Sequence, residues 1–419
     1  MPVMPQLPNW LVYVIMFIGF FIAFFYLLIL FKKEPTFKIK KDFFPEVTIM
    51  IPAKNVQTTL ESCVKRVINQ DYKGKITILI INDASTDETP KIAEQLTKKY
   101  SSKKREIILL HRKKSTGYKA SVLNFGLNYL FSKGKATYLI AHLDADTFIP
   151  RNLIKKAVSY FSDERVMALT SWMMPHNKKG FLIKMQKIEY LMTSFYRYLL
   201  GRVEAVCIAP AFTMFKSEFF RKAGYYDEKT LTEDFEIALR IKSYGYNIIY
   251  LDEKITTVLP ETFNKLRKER VRWWYGTFQN LVKYKHLMST KYGALGTFFL
   301  PIATLLGILI LLLVFLMVAY GIIYNVVNFI YDLSLGVQPK LEFQLEAFRI
   351  ALALSDPRII LGVFAFIISV LFFIFATSQG KEKVKIIDYL LFVFVYSWFL
   401  IIFCIEGIIK YIFKVKIAW

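Results

Sequence analysis

The sequence predicts an α/β domain with a mostly parallel sheet, joined to α-helices that cross a membrane. Two observations lead there. Between Lys32 and Lys291, short β-branched runs alternate with helical stretches, the pattern of a parallel sheet with crossover helices. Outside that stretch the apolar residues gather into long uncharged runs, which suit a bilayer better than a soluble core. Of the 419 residues, 55% are hydrophobic, above the roughly 45–50% of soluble domains.

The elements follow in chain order. Residues 11–31 carry no charge and supply the about 20 residues a bilayer core requires. No basic residue precedes them and no small-residue cleavage site follows, so they read as an anchor and not as a cleaved leader. Lys32, Lys33, Lys38, Lys40 and Lys41 come next. By the positive-inside rule the N-terminus lies outside and the central domain is cytoplasmic. Strands are expected at 47–51, 76–81, 107–110 and 137–143, with helices at 58–69, 89–99 and 119–131. Ser85-Thr86-Asp87-Glu88 has capping-box spacing and Pro90 fits a first helical turn.

Two later helices have amphipathic patterns. One, at about 181–199, aligns Phe181, Met185, Ile188, Met192, Phe195 and Leu199, with Lys184, Lys187 and Arg197 off that face. The other, at about 262–284, aligns Phe263, Leu266, Trp273, Phe278 and Leu281 above a dense basic face. Either could lie on a membrane surface or face a core; the second favours the membrane. Residues 292–331 are uncharged and fit one long helix plus an interfacial stretch, and 359–380 and 386–405 fit two more spans. Lys381, Lys383 and Lys385 agree with a cytoplasmic loop. Lys410, Lys414 and Lys416 then fall outside, so the last segment lies partly in the interface or one span is miscounted. The expected division is 1–31, an N-terminal transmembrane helix; 32–291, the cytoplasmic α/β domain; and 292–419, about three membrane helices.

The net charge is +23. Anionic lipid and an anionic substrate account for it without nucleic acid. Cys63, Cys207 and Cys404 have no close spacing, which excludes a disulfide framework and a zinc pattern.

In open α/β sheets ligands bind beyond the carboxyl ends of the strands. Asp83 ends the second expected strand, and Asp144-Ala145-Asp146 ends the fourth. Two carboxylates at i, i+2 can reach one hard cation, which completes its shell from substrate and water. Glu233 and Asp234 open a helix. They serve either the helix dipole or proton transfer from a hydroxyl. Arg270-Val271-Arg272-Trp273-Trp274-Tyr275 can clamp a diphosphate and face a sugar ring, or snorkel at a membrane surface.

In order, the chain reads Ile51-Pro52-Ala53-Lys54-Asn55, Asn82-Asp83-Ala84-Ser85-Thr86-Asp87, Gly117-Tyr118-Lys119-Ala120 with Leu123-Asn124, and Asp144-Ala145-Asp146. Ala211-Phe212-Thr213-Met214-Phe215, Thr232-Glu233-Asp234 and Arg272-Trp273 complete the set. This resembles the membrane-bound inverting glycosyltransferases of family 2: the cellulose, chitin, hyaluronan and poly-N-acetylglucosamine synthases. The resemblance implies a GT-A-type, Rossmann-like α/β fold and a nucleotide-diphosphate sugar donor, a UDP-sugar by analogy. Ala53, Asn55, Asp83, Lys119, Asp144 and Arg272 would bind the donor. Asp146 with Asp144 would hold Mg2+ or Mn2+. Asp234, beside Glu233, would be the general base, and Trp273 and Phe212 would meet the acceptor.

Departures are present too. Glu269 stands where the family has Gln and calls for pairing with Arg270 or Arg272. Asn82 and Ala84 replace an Asp and a Gly, Val56 an acidic residue, and Pro210 a Gly. The leading expectation is a multi-pass synthase of the cell membrane that extends a polysaccharide and feeds it through its spans, which a second protomer could complete. The alternative adds one sugar to a lipid or lipid-linked acceptor. A catalytically dead scaffold conflicts with the presence of Asp146 and Asp234. A nucleotidyltransferase leaves Thr232-Glu233-Asp234 with Arg272-Trp273 unexplained.

Overall fold

A computed structural model describes residues 9–336, 357–415 and 417. The expected ranges 1–31 and 292–419, and Lys416, fall partly or wholly outside these. Helix α1 (Asn9–Leu30) precedes the first strand. Strands β1 (Val47–Ala53), β2 (Ile76–Asp83), β3 (Arg105–Arg112) and β4 (Leu139–Leu143) pair in parallel in the order β3-β2-β1-β4. Both faces of β1, β2 and β4 are buried, which is why they read as continuous apolar runs. Helices α2 (Leu60–Ile68), α3 (Thr89–Tyr100) and α4 (Lys119–Ser132) make the crossovers. In α2 the buried residues are Leu60, Cys63, Val64 and Val67, one helical stripe.

The second half of the sheet is mixed, so that four of the seven pairings are parallel and three antiparallel. Beyond β4 the order continues β7-β6-β8-β5: β7 (Phe212–Lys216), β6 (Val166–Pro175), β8 (Asn247–Thr257) and β5 (Thr147–Phe148). Only β6 and β8 pair in parallel; β4 with β7, β6 with β7 and β5 with β8 are antiparallel. Strand β7 starts where β4 ends, since the Asp144 N–H donates to the Ala211 carbonyl at 3.0 Å, so the two run oppositely.

The expected capping box is corrected. Glu88 stands at the N-cap of α3 without a side-chain capping bond, and Asp87 before it accepts from the Thr89 N–H at 3.0 Å and the Gln57 N–H at 3.2 Å. The Ser85 hydroxyl instead accepts from the Asn55 N–H at 3.1 Å.

Helix α5 (Leu153–Val158) covers the sheet face that α2 and α3 share. Helix α6 (Phe181–Arg202) lies between β6 and β8 on one side and the apolar helix Pro357–Gln379 on the other. Met185, Ile188, Phe195 and Leu199 of its expected face are buried, but Phe181 is exposed and Arg197 is buried. After α7 (Ser217–Ala223) and α8 (Glu233–Ser243) comes α9 (Phe263–Lys283). It turns Leu266, Val271 and Leu281 inward, and with them Arg270 from the expected basic face.

Residues 295–334 form one continuous helix, opening with a π-helical stretch Leu295–Leu306 that contains Pro301. Proline cannot donate to the helical ladder, and widened turns accommodate the gap. Two helices, Ile360–Gln379 and Ile386–Ile412, are long and apolar enough to cross a membrane among the described residues. Helix α1 and the 295–334 helix also carry apolar stretches, Met16–Leu30 and Leu295–Leu309.

Candidate active site

Strand order reverses between β1 and β4, so the loops leaving their carboxyl ends part and open a crevice. A cleft of ≈ 560 Å³ lies there. Ala53 reaches it from the end of β1, Asp83 from β2, Asp144 and Asp146 from the loop after β4, and Lys119 from the start of α4. Glu233 and Asp234 open α8 on the far wall, and Arg272 and Trp273 project from α9.

The rim is held in unusual backbone. Asn55, Ala84 and Ala211 have φ of 52, 51 and 55°, in the left-handed region that costs a non-glycine residue roughly 1–2 kcal/mol. The Asn55 side-chain oxygen accepts from the Thr86 N–H at 2.9 Å and ties the β1 and β2 loops together. Asp83 accepts from Arg112 Nη1 at 2.6 Å and from the Ser115 hydroxyl at 2.5 Å.

The centre is a cluster of buried charge. Lys119 Nζ pairs with Asp144 and lies 3.5 Å from Glu233. Burial works against its ammonium, but Asp144 and then Glu233 outweigh that and hold its pKa above the usual lysine range. Burial, and next Asp144, push Asp146 up to about 6 against the opposing pull of Lys119. Burial, and next Glu233, push Asp234 up to about 6 in the same way. A carboxyl near 6 is ionised at neutral pH yet basic enough to accept a proton.

Asp146 and Asp144 are the metal candidates. Among the described residues no group of three or more His, Cys, Asp and Glu is set to hold a metal. Mg2+ or Mn2+ would therefore draw the rest of its shell from donor phosphates and water, the usual arrangement for magnesium. The pair fits such an ion. Asp146 is buried beside a second carboxylate and only weakly satisfied, by hydroxyls of Thr147 at 3.4 Å and Thr257 at 3.3 Å.

The α9 wall is built in two layers. Arg272 Nη1 donates to the Leu231 carbonyl at 3.1 Å, next to the acidic pair. The Arg270 guanidinium lies 4.0 Å from the centre of the Trp273 ring. It donates to both oxygens of Glu189 on α6, at 2.7 and 3.0 Å, and to Glu269 at 2.5 Å. Glu269 is thereby paired with Arg270, as its departure from Gln called for, although it shares that one cation with Glu189. Behind them, Gly276 faces Thr232. A Cβ there would sit 2.4 Å from the Thr232 hydroxyl. Asn280 donates to the Thr232 carbonyl at 3.1 Å and its hydroxyl at 3.0 Å. These two residues fix the turn that aims Glu233 and Asp234.

Ala53, Asp83, Lys119, Asp144, Asp146, Glu233, Asp234, Arg272 and Trp273 thus share one cleft. Asn55 does not line it and acts on its rim. Phe212 is the correction: it is fully buried on β7, packed with Leu143 and Met214, and cannot meet an acceptor. Ala211 lines the cleft in its place. The sequence reading missed the α6 wall, where Glu189, Tyr190, Thr193, Tyr196 and Arg197 extend the cleft toward the apolar helices. Glu189, the one acid on α6, and Arg197, off its expected apolar face, were the available signal.

Comparison with known proteins agrees with this geometry. The model of glycosyl transferase family 2 matches residues 48–224, and that of glycosyl transferase family group 2 matches 139–329. The poly-beta-1,6-N-acetyl-D-glucosamine synthase of Staphylococcus aureus is 30% identical over 268 residues, 62% of this chain and 61% of that one. Its Staphylococcus epidermidis counterpart is 28% identical over 244 residues, 57% of this chain and 56% of that one. The chain thus spans about three fifths of the length of these relatives. In architecture it is similar to a mannosyltransferase from Pyrobaculum calidifontis solved with GDP-Man and Mn2+. The TM-score is 0.61, with 17% identity over 97% of this chain and 96% of that one. Nearly the whole chain shares that fold, and the segment matched by the two family models, residues 48–329, contains the motifs that line the cleft: this part of the chain is a glycosyl transferase family 2 domain.

Proposed function

We propose that the cleft transfers a sugar from a nucleotide-diphosphate sugar to an acceptor hydroxyl by direct displacement. The acceptor oxygen bonds to the anomeric carbon, the bond from that carbon to the diphosphate oxygen breaks, and configuration inverts. The acceptor's proton passes to Asp234. Lys119 and Arg272 offset charge on the departing diphosphate. Asp83 and Ala53 hold the base and ribose, and Asp146 with Asp144 would hold the divalent cation. When bound, that cation supplies further stabilisation of the leaving group.

The observation that carries this reading is Asp234, a buried carboxyl pushed up to about 6 across the cleft from Asp144 and Asp146. A base on one wall and a pair of carboxylates able to hold a divalent cation on the other suit displacement of a diphosphate. The curated relatives are named as synthases of a β-1,6-linked N-acetylglucosamine polymer. We accordingly take the donor to be a UDP-sugar, the acceptor a growing polysaccharide, and the setting the cytoplasmic face of a membrane.

Membranes carrying the full chain, given single labelled UDP-sugars, test this. The expected product is a long polymer from one donor, abolished by EDTA. A product one sugar longer and extractable into organic solvent would replace the polymer acceptor with a lipid one. No transfer from any nucleotide sugar would overturn the reading.

A further inference from the structure

We infer that the terminal helix Ile386–Ile412 lies in the plane of the membrane surface, clamped lengthwise to α9, with its outer face in one lipid leaflet. It rests on the membrane association proposed above and not on sugar transfer. Just before the helix, Glu382 pairs with Lys187 at 2.7 Å and Lys254 at 2.8 Å, and Gln379 donates to Asp252 at 2.9 Å. Partway along, the Tyr396 hydroxyl donates to Glu189 at 2.8 Å. Phe399 meets Phe263 edge-on and Phe403 meets it at a tilt, with ring centres 5.2 and 5.5 Å apart. Arg267 grips both oxygens of Glu406 at 2.7 and 2.8 Å. Gly407 meets Trp274, where a Cβ would sit 2.7 Å from the tryptophan Cβ. Tyr411 meets Tyr275 at 5.5 Å.

The contacts at the two ends decide between lying and crossing. The 27 residues of Ile386–Ile412 span roughly 40 Å at about 1.5 Å per residue, against a hydrocarbon core of about 30 Å. A crossing helix would carry its two ends to opposite sides. Here both ends, and the middle, touch one α/β domain. Helix α9 does not leave that domain either: Leu266 is buried near its start, and near its end Asn280 is buried and Lys283 pairs with Asp227 at 2.7 Å. Crossing would also draw Arg267 and Glu406 toward the bilayer, where each charge costs at least ~2.5–3.5 kcal/mol at the centre.

The outer face fits a leaflet. Val395, Ile402 and Ile409 repeat every seven residues and are exposed, with Phe394 and Ile412 beside them. The stripe continues from the apolar helix Pro357–Gln379, on which the first turns pack through Tyr389 and Phe373 at 4.1 Å. Lys410 and Lys414 then stay on the side of the α/β domain. This removes the conflict that a last crossing creates with the positive-inside rule.

The test places single cysteines at exposed positions of the full chain in sealed vesicles, Lys268→Cys on α9 and Lys414→Cys after the helix. A membrane-impermeant maleimide is added outside; the native cysteines are buried. Both positions should react from the same side. Nitroxides at Val395, Ile402 and Ile409 should report equal, shallow depths, whereas a crossing helix shifts depth by ~10 Å per seven residues. Reaction of Lys414→Cys from the side opposite Lys268→Cys overturns the inference. So do graded depths, or nitroxides that never enter lipid. Failure of sugar transfer would leave these readouts unchanged, so the two readings fail separately.

Discussion

Replacing Asp234 with Asn should abolish transfer and stabilise the protein, and the size of the gain follows from its surroundings. Burial, and next Glu233, raise the carboxyl from 3.8 to about 6. The raised value means the fold disfavours the ionised form. Above pH 6 the wild type carries the full cost; below pH 3.8 the group is protonated in both folded and unfolded chains and the cost vanishes. At 1.36 kcal/mol per tenfold, a rise of that size is on the order of 3 kcal/mol near pH 7.5 and roughly half that at pH 5. Asn removes the charge and can still accept from the Phe235 N–H, now at 2.9 Å. Melting in detergent at both pH values reads the gain, about 6–12 °C at pH 7.5 by the scaling for domains of 150–250 residues. Transfer by the wild type should rise through pH ~6 as the base ionises. A lower melting temperature for Asp234→Asn at pH 7.5, or an equal gain at pH 5, would refute the strained carboxyl. Retained transfer would refute its role as base.

Asp146→Ala should lose turnover and, by calorimetric titration, weaken donor binding most when Mn2+ or Mg2+ is present. Ala84→Gly should stabilise by about 1 kcal/mol, because glycine accepts the φ of 51° without strain; unchanged melting would count against the strained rim. Gly276→Ala should cut kcat at least tenfold with little change in donor binding, since its methyl collides with Thr232 behind the acidic pair; wild-type kcat would remove Gly276 from that role. Tyr396→Phe should destabilise by about 1.5–3 kcal/mol through the lost bond to the Glu189 carboxylate, read as a fall in melting temperature.

What could be read from the sequence follows a physical line. Strands β1, β2 and β4 were visible because burial on both faces demands unbroken apolar runs. Strand β8 was not, since Asp252, Glu253 and Lys254 interrupt it; the first two fall in a register shift against β6, and the three pair with Gln379, Lys156 and Glu382. Strand β6 mixes methionines with Thr170 and Ser171, and its direction depends on partners far along the chain. The acids of the cleft were legible because they sit where strands and helices end. The α6 wall was not, because Glu189 finds its partners 81 and 207 residues away, in Arg270 and Tyr396. Phe212 misled because a motif shows which residues occur together and not which side of a strand each one faces.

The bond from Tyr396 to the Glu189–Arg270 pair has a consequence for assembly. The guanidinium under Trp273 is neutralised by a carboxylate from α6, and that carboxylate is completed by a hydroxyl synthesised more than a hundred residues later. A chain halted at residue 291 would hold every acid of the cleft but lack the cover over its buried charge. The catalytic half therefore matures only after the last helix has been made, and it should not survive as an independent soluble enzyme.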